Sequence, residues 1–71
     1  MAASFFKEGS KVHFKGMKGT VIKITETYRK NVLVVKVNEI SKKNSLPFRY
    51  AKTVGLFEYP DGTIEFMNVI D

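Results

Sequence analysis

The 71-residue chain contains no cysteine, no tryptophan and a single histidine, His13. Without cysteine it has no disulfide framework, no thiolate metal ligand and no cysteine nucleophile. With only one histidine, a histidine-based zinc site or a classical catalytic triad is hard to build. We interpret Glu58 and Glu65 as a pair on a solvent face, not as an acid–base pair. The composition therefore predicts a protein that is not an enzyme and that holds no metal or other cofactor.

Long apolar runs are also missing. No apolar stretch approaches the length of a membrane span, and the first residues do not have the basic region and apolar core of a signal peptide. These absences predict a soluble, cytoplasmic protein with no membrane partner. A chain of this length buries only about 60% of its unfolded surface, which predicts one domain over residues 1–71. Residues 1–7 are expected to form a loose N-terminal arm.

Charge is distributed unevenly along the chain. Twelve Lys and Arg against seven Asp and Glu give a net charge of +5. Residues 7–52 contain all the basic residues and three acidic ones, a net +9, whereas residues 53–71 contain four acidic residues and no basic ones, a net −4. A basic region of this kind is typical of a face that binds nucleic acid. The alternative is that the acidic strands lie beside the basic ones and partly neutralise them.

Alternation of apolar and polar residues predicts three strands in the first half of the chain. In the second of them, Ile22 and Ile24 are expected to point inward and Lys23 outward. The third is the most hydrophobic segment and is predicted to be a central strand that is partly covered on both faces. The three segments are residues 11–15, 20–26 and 32–37.

The dipeptide Asp61-Gly62 predicts a β-hairpin with a two-residue loop. In that register Phe57 lies opposite Phe66 on one face, while Glu58 and Glu65 face each other in solvent. The two strands of this hairpin are residues 54–59 and 64–70.

Five short strands without a long helix predict a small, strongly bent barrel, because closing the sheet removes exposed edges. We predict an all-β, five-stranded SH3-like barrel. An OB-like barrel is the second choice, because the segment 38–52 has room for a short helical turn around residues 40–44. Pro47 interrupts this segment, which is otherwise predicted to be a long functional loop.

The stretch from Glu8 to Ile24 resembles the KOW-type opening of SH3-like barrels. The match rests on Gly9 to Val12 in the first strand and on Gly19 to Val21 at the start of the second. The resemblance implies the barrel fold and, for the function, a role in a ribosomal or transcription complex. The turn between the two strands is shorter here than in the usual KOW pattern.

The candidate contact residues combine cations for phosphates with tyrosines for stacking on bases. They lie in three connections that we expect to border one groove, and they predict a partner that is RNA, DNA or a ribonucleoprotein complex. For Tyr50 the alternative is a plug that seals one end of the barrel. The residues are Lys15, Lys18, Tyr28, Arg29, Lys30, Lys42, Lys43, Arg49, Tyr50 and Lys52.

A second hypothesis is a protein-interaction module, such as an SH3-like adaptor, an accessory subunit or a regulatory protein of a phage or other mobile element. It rests on apolar residues that exceed what one small core can hide, namely Met17, Leu56, Met67 and the pair Val69-Ile70. We expect a monomer or a weak homodimer. Binding to a protein would depend weakly on salt, whereas binding to nucleic acid would depend on it steeply.

Overall fold

A computed structural model describes residues 3–41 and 50–71. These residues form one antiparallel sheet, curled into a half-barrel, in which each strand pairs with the next along the chain. The predicted all-β fold is confirmed: the described residues contain no helix, and the architecture is consistent with a small SH3-like or OB-like barrel. The strands are β1 Lys11–Phe14, β2 Met17–Glu26, β3 Asn31–Ile40, β4 Thr53–Glu58 and β5 Ile64–Val69.

The β1–β2 connection is tighter than the sequence indicated. Phe14 pairs directly with Met17, so the loop has only two residues, Lys15 and Gly16. Both have positive φ, at 47° and 85°, as a type I′ turn requires. Gly19 therefore belongs to β2 and not to the turn, and β2 begins three residues earlier than predicted.

The sheet has an inner face that forms the core and an outer face that is open. Of the predicted central strand β3, Leu33 and Val35 are fully buried on the inner face, while Val32 and Val34 are half-buried on the outer face. This prediction is confirmed, because β3 lies between β2 and β4. The predicted helical turn at 40–44 is wrong at Ile40, which ends β3; residues 42–44 lie outside the described residues.

A bulge in β2 overturns one inward assignment. Val21 pairs with Val35 and Lys23 pairs with Val34, so Ile22 has no partner and interrupts the alternation. Ile22 is 47% exposed, whereas Ile24 points inward as predicted and packs against the core. The bulge inserts one residue into β2, which is why simple alternation fails at this position.

The β4–β5 hairpin differs from the predicted one by a single residue. Its loop has three residues, 60–62, and is closed by hydrogen bonds between Tyr59 and Thr63 and from Gly62 N to Tyr59 O. Gly62 has φ 89°, the left-handed conformation that such a loop needs. In β5 the predicted faces are confirmed, because Ile64 and Phe66 pack against the core. In β4 they are reversed. Leu56 and Glu58 are buried on the inner face, and Phe57 lies on the outer face opposite Glu65, not opposite Phe66.

Acid is expected to weaken this loop. Hydrogen bonds from the Thr63 side chain and then from the Thr63 N–H lower the pKa of Asp61 below its usual value. The stabilisation from the ionised carboxylate is present above the ordinary pKa of aspartate and is lost as the pH falls through the lower folded pKa. A ¹³C NMR titration should find Asp61 titrating below the aspartates of an unfolded peptide. In an Asp61→Asn variant this pH dependence of the loop should disappear. An ordinary pKa at Asp61 would show that its carboxylate does not stabilise the loop.

Candidate nucleic-acid interface

The strand register places four lysines on the outer face, and a fifth, Lys30 of the β2–β3 loop, reaches the same face over the Phe57 ring. Lys18 lies at one end of β2, and the next cross-strand row contains Lys11, Thr20 and Lys36. Lys23 lies further along β2. The distance from the first to the last of these three rows is about 14 Å, because an antiparallel strand rises about 3.4 Å per residue. We call the set the lysine row; its members are Lys11, Lys18, Lys23, Lys30 and Lys36.

Two neighbouring side chains fix the middle of the lysine row. Lys11 Nζ donates a hydrogen bond of 3.0 Å to Thr20 Oγ1, and Asn38 Nδ2 donates one of 2.7 Å to the same oxygen. All of these atoms lie on exposed residues of the outer face, apart from the half-buried Thr20. The contacts tether the lysine to the sheet without neutralising its charge, because a hydroxyl is not a counter-ion.

An aromatic ring positions the far end of the row. Lys30 Nζ lies 4.4 Å from the centroid of the Phe57 ring, a cation–π contact that brings the ammonium onto the outer face. At the adjoining loop tip, Arg29 lies 6.0 Å from the ring of Tyr28, which is 82% exposed. Both cations remain positively charged, since an aromatic ring removes no charge.

Two carboxylates of β4 and β5, close to the lysine row, already have hydrogen-bond partners. Glu58 is buried on the inner face, and Glu65 accepts a 2.7 Å hydrogen bond from Tyr59 Oη. That hydrogen bond, followed by burial and the charge of Glu65, raises the pKa of Tyr59. Glu39, which pairs with Lys18, places one acidic residue at the first end of the lysine row. The middle of the row is therefore strongly positive.

The predicted site residues fall at two ends of the molecule. Lys15, Lys18 and Lys52 lie near one end, where Val37 N donates to Lys52 O. Tyr50, which is 87% exposed, precedes Lys52 by two residues. Tyr28, Arg29 and Lys30 lie at the opposite end of the β2–β3 hairpin, which is about 30 Å long. Among the described residues, the lysine row connects the two groups. Lys42, Lys43 and Arg49 lie outside the described residues.

Sequence reasoning missed three lysines of the row: Lys11, Lys23 and Lys36. Alternation does place Lys11 and Lys23 outward, so part of the signal was available. It does not show that residues of three different strands lie side by side. That requires the β1–β2 and β2–β3 registers, including the bulge at Ile22.

Of the five apolar residues behind the second hypothesis, two are buried, Met67 is half-buried and two are exposed. Met17 is 1% exposed and Leu56 is fully buried, so neither contributes to a surface patch. Val69 and Ile70 are 41% and 46% exposed at the end of the chain. Within residues 3–41 and 50–71, the other exposed Phe and Ile side chains are the bulged Ile22 and Phe5, which is 70% exposed.

No family model matches the chain, and no curated protein or solved structure gives a significant match. Among residues 3–41 and 50–71, no helix is long and apolar enough to cross a membrane. The same residues contain no group of three His, Asp or Glu side chains that could hold a metal ion.

Proposed function

We propose that the protein is a small cytoplasmic binding module that holds a nucleic acid by its phosphate backbone along the lysine row. The observation that carries the proposal is the strand register, which aligns five lysines from β1, β2, β3 and the β2–β3 loop on one exposed face. Successive rows are about 7 Å apart. This spacing is comparable to that of successive phosphates along an extended strand.

The composition of the face favours contact with phosphates over the reading of bases. The described outer face of β1 to β3 contains mainly lysines, threonines and valines, with Asn38, Glu39 and the exposed Ile22, and its one aromatic ring is the imidazole of His13. Lysine is a point charge on a flexible stem and lacks the planar fork with which arginine reads guanine. We propose that Tyr28 and Tyr50, at the two ends of the molecule, supply the stacking contacts with bases.

The resemblance to KOW-type openings supports a place for this module in a ribonucleoprotein or transcription complex. Val12 and Val21, two residues that carry the resemblance, are both buried in the core. Gly19, a third, lies where Val35 and the Lys36 carbonyl leave no room for a side chain. Val12, Val21 and Gly19 therefore have structural roles in the sheet of this chain.

The salt dependence of binding tests the proposal. Each phosphate that a lysine neutralises contributes about −0.9 to the slope of log K against log salt on duplex DNA, and about −0.7 on a single strand. If all five lysines make contact, we expect a slope of about −4.5 on duplex DNA. Fluorescence anisotropy with labelled duplex DNA and single-stranded RNA between 50 and 300 mM salt would measure it. Absence of saturable binding, or a slope near zero, would overturn the proposal.

The second candidate, a protein-interaction module, is supported by the exposure of Val69 and Ile70. It predicts binding that salt hardly changes and that an Ile70→Ser substitution abolishes. The same substitution should leave nucleic-acid binding unchanged, because Ile70 is not part of the lysine row.

A further inference from the structure

A buried carboxylate lies at one end of the inner face. Glu58 is 1% exposed and accepts three hydrogen bonds: 2.7 Å from Ser4 Oγ, 2.8 Å from Phe5 N and 3.2 Å from Asn31 Nδ2. A carboxylate removed from water is costly unless donors replace its hydration. Two of the three donors come from the chain segment that precedes β1, so this segment is what satisfies Glu58.

The segment has the form of a bound peptide. Ser4 Oγ donates to Glu58 and also accepts from Phe6 N at 2.9 Å, which fixes the backbone in a local turn. Phe6 packs against the core, and the ring of Phe5 lies over Gly62 at the tip of the β4–β5 loop. A serine followed by two aromatic residues is therefore recognised through its hydroxyl, one backbone N–H and one side chain.

Another hydrogen-bond acceptor lies at the same end of the inner face, and residues 4–6 do not donate a hydrogen bond to it. Asn31 is 1% exposed, and its Oδ1 is buried without a hydrogen-bond partner. Its amide nitrogen is bonded to Glu58, so the unused oxygen belongs to the same polar cluster. Buried polar atoms are usually paired, which makes this oxygen a place for a further ligand donor.

We infer that this end of the half-barrel is a peptide-recognition site for short segments in which a serine precedes two aromatic residues. In this structure the chain's own residues 4–6 occupy the site. A partner protein with a segment of the same chemistry would bind by displacing them. The site contains no residue of the lysine row, so the inference does not depend on the proposed nucleic-acid binding.

The site can bind only groups that donate hydrogen bonds. Glu58 offers only acceptor oxygens while ionised, and Asn31 offers another acceptor. A peptide therefore has to bring O–H and N–H groups. A phosphorylated serine would lose the hydroxyl donor and place negative charge against Glu58, so it should be excluded.

The test uses the full chain with the substitution Ser4→Ala, which weakens the occupant without removing it. The labelled variant is titrated with a peptide of the sequence of residues 3–7, blocked at both ends, and with the same peptide carrying alanine or phosphoserine in place of serine. NMR follows the Asn31 side-chain amide. We expect the serine peptide to bind about tenfold more tightly than either control, since a hydrogen bond to a charged group is lost in both. Binding to the unsubstituted chain should be weaker, because the tethered segment competes at a high effective concentration.

A second measurement covers the case in which peptide binding is too weak to compare. In the Ser4→Ala chain the Phe5 amide should exchange its hydrogen at least about tenfold faster than in the unsubstituted chain, while the core amide of Val35 keeps its rate. Equal affinity for the serine and alanine peptides would overturn the inference. So would an unchanged Phe5 exchange rate, or a spectral response away from Asn31.

Discussion

Replacing Lys18, Lys23 and Lys36 together by glutamine is expected to weaken binding to duplex DNA by about a hundredfold or more at 0.1 M salt. Each lost phosphate contact removes about 0.9 from the salt slope, so three lost contacts reduce the slope by about 2.7. The three lysines are exposed and lie in the middle strands of the sheet, so glutamine keeps their length while removing the charge. Lys11 and Lys30 stay in place, because Thr20 and Phe57 hold them.

A matched control comes from Lys7, an exposed lysine of the segment before β1. Lys7→Gln removes one positive charge, by the same Lys-to-Gln change, from a position outside the lysine row and should change the affinity by less than about fivefold. Thermal unfolding of the triple variant should match that of the unsubstituted chain, because exposed lysines contribute little to stability. If the triple variant binds as tightly as the control, the lysine row is not the binding face.

Gly19→Ala is expected to destabilise the protein by about 3 kcal/mol. A Cβ at this position would meet Val35 Cγ1 at 2.4 Å and the backbone carbonyl oxygen of Lys36 at 2.8 Å. The carbonyl belongs to the β2–β3 ladder, so relief requires the two strands to move apart. A domain of this size has a total stability of about 4–10 kcal/mol, so the loss is a large fraction of it.

Gly55→Ala is the matched comparison for this prediction. A Cβ at Gly55 would meet Met67 Cε at 2.3 Å and Asn68 Oδ1 at 3.1 Å, both at the ends of side chains that can rotate away. We therefore expect a cost of about 1 kcal/mol or less. Urea unfolding of the two variants, followed by circular dichroism, measures the difference. Equal destabilisation would contradict the close approach of β2 and β3 at Gly19.

The strands themselves could be predicted because alternation is a local property. Val12 and Phe14 in β1, and Leu33 and Val35 in β3, repeat every second residue, and all four are buried as this period requires. The central position of β3 followed from its apolar residues on both faces. These features need no knowledge of which strand pairs with which.

Register could not be predicted in the same way, because it depends on single-residue irregularities. The bulge at Ile22 leaves no mark in a sequence of β-branched residues. In the β4–β5 loop, Asp61-Gly62 fits both a two-residue and a three-residue hairpin, and Gly62 takes the left-handed position of the longer one. That one residue places Glu58 opposite Ile64 and not opposite Glu65, while the pairing of β4 with β3 buries Glu58 beside Asn31.

The candidate site was limited by the same difficulty. Lys18 and Lys30 were singled out because they lie at or beside turns, where charge clusters are visible along the chain. Lys23 and Lys36 stand alone among apolar neighbours in the sequence, and only the pairing of β2 with β3 brings them onto one face with the others.

The most direct test of the central claim is an amide-resolved NMR titration with duplex DNA at low salt and near physiological salt. The account predicts saturable shifts in the outer-face residues of β1 to β3, centred on Thr20, that weaken strongly as salt is raised. Residues 64–71, which contain no basic side chain, should shift little. Shifts centred on Val69 and Ile70, or spread evenly over all lysines, would contradict it.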